Sequence, residues 1–250
     1  MVTVESEALA AGLSPKQLTG RQETHLVDLA AGQRLQAAAA SAFLALQADA
    51  RSAGFELVIA SSFRSFGRQL AIWNGKASGS RNVYDDAGCE VAMAALPPVD
   101  QLRAILRYSA IPGTSRHHWG TDLDVYDAAA VSADYKLQLA PQEVAVGGVF
   151  DPLHCWLDQR MEAGESHGFY RPYAQDRGGI APERWHLSYA PLAVPCAQLL
   201  TESLLIGCWD ECSAAGEAVL LTAEIRAQLP DIMANYVSVA ETWCPAHYRR

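Results

Sequence analysis

The stretch that most constrains this chain is Ser115-Arg116-His117-His118-Trp119-Gly120-Thr121-Asp122-Leu123-Asp124. A histidine precedes a glycine turn, and Thr121 to Tyr126 then alternates as a strand does, which places Asp122, Asp124 and Tyr126 on one face. The turn folds the His117 imidazole back toward the Asp124 carboxylate, so the pair offers one nitrogen and one oxygen ligand to a metal. A second segment, Pro182-Glu183-Arg184-Trp185-His186, supplies another histidine. His186 completes a His/Asp/His set with one coordination position left for water, the donor pattern of a catalytic zinc site rather than a structural one. Glu183 is the candidate general base. Positions three apart on a regular strand face opposite sides, so Glu183 must lie on a turn ahead of the strand, as Pro182 permits.

The surrounding sequence reads as a mixture of helices and strands. Leu35, Ala39, Phe43, Leu46 and Ala50 recur at three- and four-residue steps, predicting an amphipathic helix over Gln33 to Ala53 with Gly54 as its stop. Phe55 to Ala60 is an apolar, β-branched run and predicts a buried strand that delivers Arg64 at its end. Helical spacing returns over Gly67–Lys76 and after Pro97-Pro98, with a loop from Ala77 to Gly88 between them. Asp151-Pro152 predicts a helix start with Asp151 as its cap. Arg184 to Tyr189 reads as another short strand. Beyond Pro191 the chain is rich in Ala and Leu at helical spacing. The expected organisation is a body over 1–190, with a helical lead-in over about 1–54, and a helical extension over 191–250 packed on it.

With 250 residues, half of them hydrophobic, the chain has ample material for a packed core. Its formal net charge of −9 argues against nucleic acid as a partner. No stretch reaches the ~18 apolar residues of a membrane span. Met1 to Gln33 lacks a basic start with an apolar core and a small-residue cleavage site, so the expected location is cytoplasmic. Six cysteines without a C-x-x-C pair fit free thiols in a reducing compartment; Cys208 and Cys212, four apart in a helical region, read as buried thiols rather than metal ligands. His25, His154, His167 and His247 read as surface or hydrogen-bonded core residues, and His118 as a pocket or supporting residue beside His117.

Three motifs in order carry a family resemblance: Ser61-Ser62-Phe63-Arg64-Ser65-x-x-x-Gln69, Ser115-x-His117-x-x-Gly120-x-x-x-Asp124, and Glu183-x-Trp185-His186. Over roughly Glu56 to Tyr189 the chain resembles the VanY-type D-alanyl-D-alanine carboxypeptidases, zinc peptidases that share their fold with the hedgehog signalling domain. The resemblance implies an α+β fold, a small, mostly antiparallel sheet flanked by helices. It implies one zinc ion per chain on His117, Asp124 and His186, with Glu183 activating the water. It also implies that Arg64 and Gln69, helped by Ser115, contact the substrate's carboxylate or developing oxyanion. The planar fork of Arg64 suits a terminal carboxylate, which favours carboxypeptidase over endopeptidase action.

One position departs from the family pattern: a small residue, often alanine, usually stands where this chain has Asp122. Asp122 then orients a ligand, recognises a substrate ammonium, or competes as a ligand. Trp119 and Trp185, beside the ligands, read equally as core residues or as walls of the substrate cleft. The leading functional expectation is a zinc carboxypeptidase that removes the C-terminal D-alanine from peptidoglycan stem peptides. With cytoplasmic residence this becomes LD-carboxypeptidase action on tetrapeptides in murein recycling. The alternatives are a D,D-carboxypeptidase on D-Ala-D-Ala ends, a phage-type endopeptidase, and a zinc-binding module without catalysis.

Overall fold

Strand alternation divides the central sheet into an apolar face and a polar one. The computed structural model describes residues 12–249. In chain order its main elements begin with α1 (Pro15–Leu18), β1 (Val27–Asp28), β2 (Arg34–Leu35), α2 (Ala37–Ser52), β3 (Leu57–Ser61), α3 (Phe66–Ala77) and α4 (Pro98–Leu106). They continue with β4 (Asp122–Asp127), α5 (Pro141–Val144), α6 (Asp151–Glu162), β5 (Phe169–Tyr170), β6 (His186–Tyr189), α7 (Ala190–Leu199), α8 (Glu202–Ala214), α9 (Thr222–Ala227) and α10 (Leu229–Ile232). The main sheet has the order β3-β4-β6-β5, and every neighbouring pair is antiparallel.

On one face, Leu57, Ile59, Leu123, Val125, Phe169 and Leu187 pack with Phe43, Leu46 and Ala50 of α2 and Leu153 and Leu157 of α6. The other face carries Asp122, Asp124, His186 and Ser188, all buried. A one-residue slip of β4 would exchange these sets, so burial of Leu123 and Val125 is what holds the two aspartates in place. A second cluster joins Phe66 and Trp73 of α3, Leu102 and Ile105 of α4 and Trp119 to Ala193, Leu205, Trp209, Ile225 and Ile232 of the later helices. The Trp209 indole donates to the carbonyl of Pro112, which ties α8 to the loop ahead of the His117 segment. Among the described residues no single helix is long and apolar enough to cross a membrane.

Several boundaries differ from the sequence reading. Residues 1–11 of the expected lead-in lie outside the described residues. The rest is not purely helical: β1 and β2 form an antiparallel ribbon, and α2 begins only at Ala37. Arg34 is drawn into extended pairing because its N–H donates to the Ser62 hydroxyl and its carbonyl accepts from Phe63. Asp151 is the first residue of α6 rather than its cap; its carboxylate accepts from Gly147 N–H and pairs with Arg184. All six cysteines are free thiols, and burial pushes Cys208 up to about 12.

His154 on α6 is fully buried, and its Nδ1 accepts from the Arg171 guanidinium at 3.5 Å, so the ring is neutral. Burial, reinforced by Arg171 and Arg184, depresses its pKa from 6.5 to about 3. Below 6.5 the unfolded chain takes up a proton that the folded chain refuses. Stability present above that pH is therefore lost as pH falls toward 3, by about 1.4 kcal/mol per pH unit for this one group. Urea unfolding between pH 6.5 and 5 should show a shallower decline for His154→Gln than for the parent protein. Equal slopes would assign the proton uptake to other groups.

Candidate metal centre

His117 sits on a 3-10 turn, Arg116–Trp119, closed by Gly120 at φ +68°. A Cβ at Gly120 would lie 2.3 Å from Leu26 Cδ2, so both the left-handed backbone and the close packing require glycine. His117 Nδ1 donates to the Ser62 carbonyl at 2.8 Å. A carbonyl only accepts, so the proton is on Nδ1 and the Nε2 lone pair is free. Nε2 stands 3.4 Å from Asp124 Oδ2.

Asp124 pairs across the ladder with His186, and a bulge between Ile59 and Ser61 brings Ser61 opposite Asp124 from the other side. His186 Nε2 donates to Asp122 Oδ1 at 3.0 Å, which turns Nδ1 toward Asp124 Oδ1 at 3.3 Å and Glu183 Oε2 at 3.4 Å. Glu183 reaches that position because it precedes β6 on a turn in which His186 N–H donates to its carbonyl. The next residue clamps the turn: Arg184 pairs with Asp151 and Asp158 and donates to the Val144 carbonyl. The geometric demand on Glu183 is met.

Two imidazole nitrogens and a carboxylate oxygen thus lie within 4.8 Å of one another, all buried. These donors fit a divalent metal. Bonds of ~2.1 Å in a tetrahedral site put ligand atoms roughly 3.4 Å apart, close to the separations of His117 Nε2 from Asp124 Oδ2, 3.4 Å, and of His186 Nδ1 from Asp124 Oδ1, 3.3 Å. Asp124 Oδ1 is buried without a hydrogen-bond donor, a lone pair that a cation would satisfy. Burial works against charge on both Asp124 and His186. The neighbouring histidines nevertheless hold the Asp124 carboxyl far below the usual range, and the carboxylates of Asp122, Asp124 and Glu183 raise His186 well above its own.

Behind His186 lies a buried ion pair. Asp122 accepts from Arg116 Nε at 2.8 Å, from the Thr121 hydroxyl at 2.5 Å and from His186. Arg116 also donates to Ser188 and Tyr170, and its guanidinium lies 4.7 Å over the Trp119 ring. This carboxylate fixes the tautomer and orientation of His186, so of the three roles open to Asp122 the geometry selects the orienting one.

The centre opens into a cleft of about 760 Å³ lined by Arg64, Ser115, His117, Asp124, Glu183, Trp185 and His186. Arg64 Nη1 donates to Gln69 Oε1 at 2.9 Å and Nη2 to the Ser61 hydroxyl. Three residues expected at the substrate lie elsewhere. Gln69 is fully buried, its Nε2 donating to the Ala110 carbonyl, so it holds Arg64 rather than reaching the cleft. Asp122 is fully buried by the contacts just described. Trp119 packs in the core and lines a separate cavity of about 320 Å³ instead. His118 is also outside the cleft: its Nδ1 donates to the Arg64 carbonyl, its Nε2 accepts from Gly113, and burial lowers it to about 3. Trp185 lines the cleft while packing on Val144 and Phe150.

The sequence reading missed Tyr173, which lines the cleft with its ring 5.0 Å from that of His186. No periodicity marks it, because it sits in an irregular loop. Arg116 was missed as well, since an arginine next to a histidine reads as a surface charge until its burial is known.

A family model described as VanY, D-alanyl-D-alanine carboxypeptidase, matches residues 32–192. The chain belongs to the VanY D-alanyl-D-alanine carboxypeptidase family. Two uncharacterized proteins of Haemophilus influenzae (strain ATCC 51907 / DSM 11121 / KW20 / Rd) are similar to it. One is 46% identical over 103 residues, covering 40% of this chain and 70% of the relative; the other is 31% identical over 129 residues, covering 51% and 92%. Solved structures with a similar arrangement include VanYB in complex with D-alanine-D-alanine, at 19% identity and TM-score 0.48, covering 75% of this chain and 90% of that one. A VanY D,D-pentapeptidase variant in complex with Zn(II) matches at 22% identity and TM-score 0.47, covering 73% and 90%. The LdcB LD-carboxypeptidase matches at 19% and 0.46, covering 75% and 80%. All three VanY motifs of this chain fall within the matched residues.

Replacing His117, Asp124 or His186 with alanine should abolish stoichiometric metal, measured by elemental analysis; metal retained by all three variants would rule the set out. Asp122→Ala should weaken metal binding by roughly 10–100-fold in chelator competition. It should also cost about 3–5 kcal/mol of stability, because Arg116 is left buried and unpaired. A double change, Arg116→Met with Asp122→Ala, should recover stability but not metal affinity.

Proposed function

We propose that this protein is a zinc-dependent carboxypeptidase that removes the C-terminal D-alanine from peptidoglycan stem peptides. The observation that carries the reading is the meeting of His117, Asp124, His186, Glu183 and Arg64 in one cleft. The ligands would be His117 Nε2, the Asp124 carboxylate and His186 Nδ1. Zinc there supplies Lewis acidity, which polarises a carbonyl and brings the pKa of water to about 7.

Glu183, whose carboxylate borders the cleft 3.4 Å from His186 Nδ1, is the base. It takes the proton from the attacking water as the new C–O bond forms, and returns a proton to the departing amine as the C–N bond breaks. Arg64, prepositioned by Gln69 and Ser61, is the cation for negative charge on the substrate, either its terminal carboxylate or the developing oxyanion. Ser115 and Trp185 border the bound peptide. Support for catalysis over a purely structural zinc module comes from Glu183, which the structural role does not need.

The finer proposal is LD-carboxypeptidase action on tetrapeptides ending in diaminopimelate-D-alanine, as a recycling step in the cytoplasm. Mass spectrometry of zinc-loaded protein, incubated separately with L-Ala-γ-D-Glu-diaminopimelate-D-Ala and with the pentapeptide ending in D-Ala-D-Ala, tests it. Loss of one alanine from the tetrapeptide is the expected result. Loss only from the pentapeptide would make it a D,D-carboxypeptidase, and cleavage inside the stem would make it an endopeptidase. Glu183→Ala should lower turnover by about 10²–10⁴-fold with zinc retained. Full activity in that variant would remove Glu183 from the mechanism.

A further inference from the structure

Removal of a C-terminal residue confronts the enzyme with two negative charges. The terminal carboxylate is present throughout, whereas the oxyanion develops on the scissile carbonyl only in the transition state. The two are carried by consecutive residues of the substrate. One guanidinium already held on two sides by Gln69 and Ser61 is poorly placed to serve both.

The cleft contains a second cation. Lys76 lines it together with Arg64, Ser109, His117, Asp124 and Glu183. Lys76 lies seven residues after Gln69 on α3, two helical turns along the same face. Both side chains reach the same short segment: Gln69 Nε2 donates to the Ala110 carbonyl at 2.7 Å, and Lys76 Nζ donates to the Ser109 hydroxyl at 2.7 Å. Helix α3 therefore sets the two cations at neighbouring points, Arg64 through Gln69 and Lys76 directly.

Neither Arg64 nor Lys76 is in an ion pair among the described residues; their polar contacts are with the neutral groups of Gln69, Ser61 and Ser109. A partly buried ammonium without a carboxylate partner is costly to maintain unless an anion arrives. Burial, with Arg81 nearby, accordingly lowers the Lys76 pKa. The Arg64 backbone N–H donates to the carbonyl of His117, a candidate metal ligand, at 3.2 Å, whereas the Lys76 ammonium is anchored on Ser109. Arg64 thus stands at the His117 side of the cleft and Lys76 at the side formed by α3 and Ser109. The ammonium has two donors beyond the one given to Ser109, and the Ser109 hydroxyl, having accepted from Lys76, keeps its own proton to donate.

We propose that Lys76 and Ser109 together bind the substrate's C-terminal carboxylate, leaving Arg64 for the scissile carbonyl. This assignment rests on the carboxypeptidase reading and sharpens it. A carboxylate contact made equally in the ground and transition states acts on KM, whereas a contact made only in the transition state acts on kcat.

Two measurements on zinc-loaded protein test the assignment, one independent of turnover. In calorimetry with N-acetyl-D-alanine and its amide, the parent should prefer the acid by about 10–100-fold, the worth of a charge-assisted hydrogen bond. Lys76→Gln should bind both alike, and Lys76→Arg should keep a preference for the acid. In turnover of the stem peptide, Lys76→Gln should raise KM by a similar factor with kcat changed only a few-fold, while Arg64→Ala should act mainly on kcat. Equal binding of acid and amide by the parent, no binding of either, or an undiminished acid preference in Lys76→Gln would overturn the proposal. Acid-selective binding that depends on Lys76, with no release of D-alanine from any peptide, would uphold the carboxylate site while refuting the carboxypeptidase reading.

Discussion

Asp124 faces His186 across the β4–β6 ladder, and the remainder of the site is arranged around that cross-strand pair. The pairing follows from ordinary sheet physics: Leu123 opposes Leu187 on the apolar face, so their neighbours must oppose one another on the other. Two further segments then converge on the pair. The glycine-closed turn brings His117 above Asp124, and the turn before β6 brings Glu183 beside His186. The hydrophobic effect that holds the sheet to α2 and α6 is thereby also what holds the donor atoms at bonding separation.

Concentrating Asp122, Asp124 and Glu183 around two buried histidines is unfavourable for the protein alone. The fold offsets part of this with Arg116, which lies wholly in the interior and spends its donors on Asp122, Ser188 and Tyr170. What is left over is a buried oxygen of Asp124 and two imidazole nitrogens that converge, a set that a divalent cation satisfies. Asp122 has a double function here: it neutralises Arg116 and, through His186 Nε2, turns the opposite ring nitrogen toward the centre.

The cleft follows the same division of labour. Groups that touch the reacting centre are held by groups that do not: Gln69 holds Arg64, Ser62 holds His117, and Arg184 holds the turn that carries Glu183. Such indirect support is worth as much as the contact groups themselves, because misplacing a base or a cation by about 1 Å can cost two orders of magnitude in rate. It also explains why fully buried polar residues such as Gln69 and Asp122 occur in a motif region without meeting substrate.

The sequence by itself marked the His/Asp/His donor residues that the fold brings together, and the elements that present them. A histidine before an obligatory glycine, an aspartate on an alternating strand, and a glutamate on a turn three residues ahead of a second histidine are local patterns with local causes. The mixed helix-and-sheet class and the buried cysteines were legible for the same reason. Tertiary structure alone decided which polar residues face the cleft. Gln69, Trp119 and Asp122 belong to the motif segments but are kept out of the cleft by burial, whereas Tyr173 and Lys76 line it from a loop and a helix with no motif of their own. Proximity in the chain constrains a side chain's position to within a turn or a strand face. Whether that face meets solvent or core depends on what packs against it, and the packing here comes from segments as distant as α8 and the loop at Pro112.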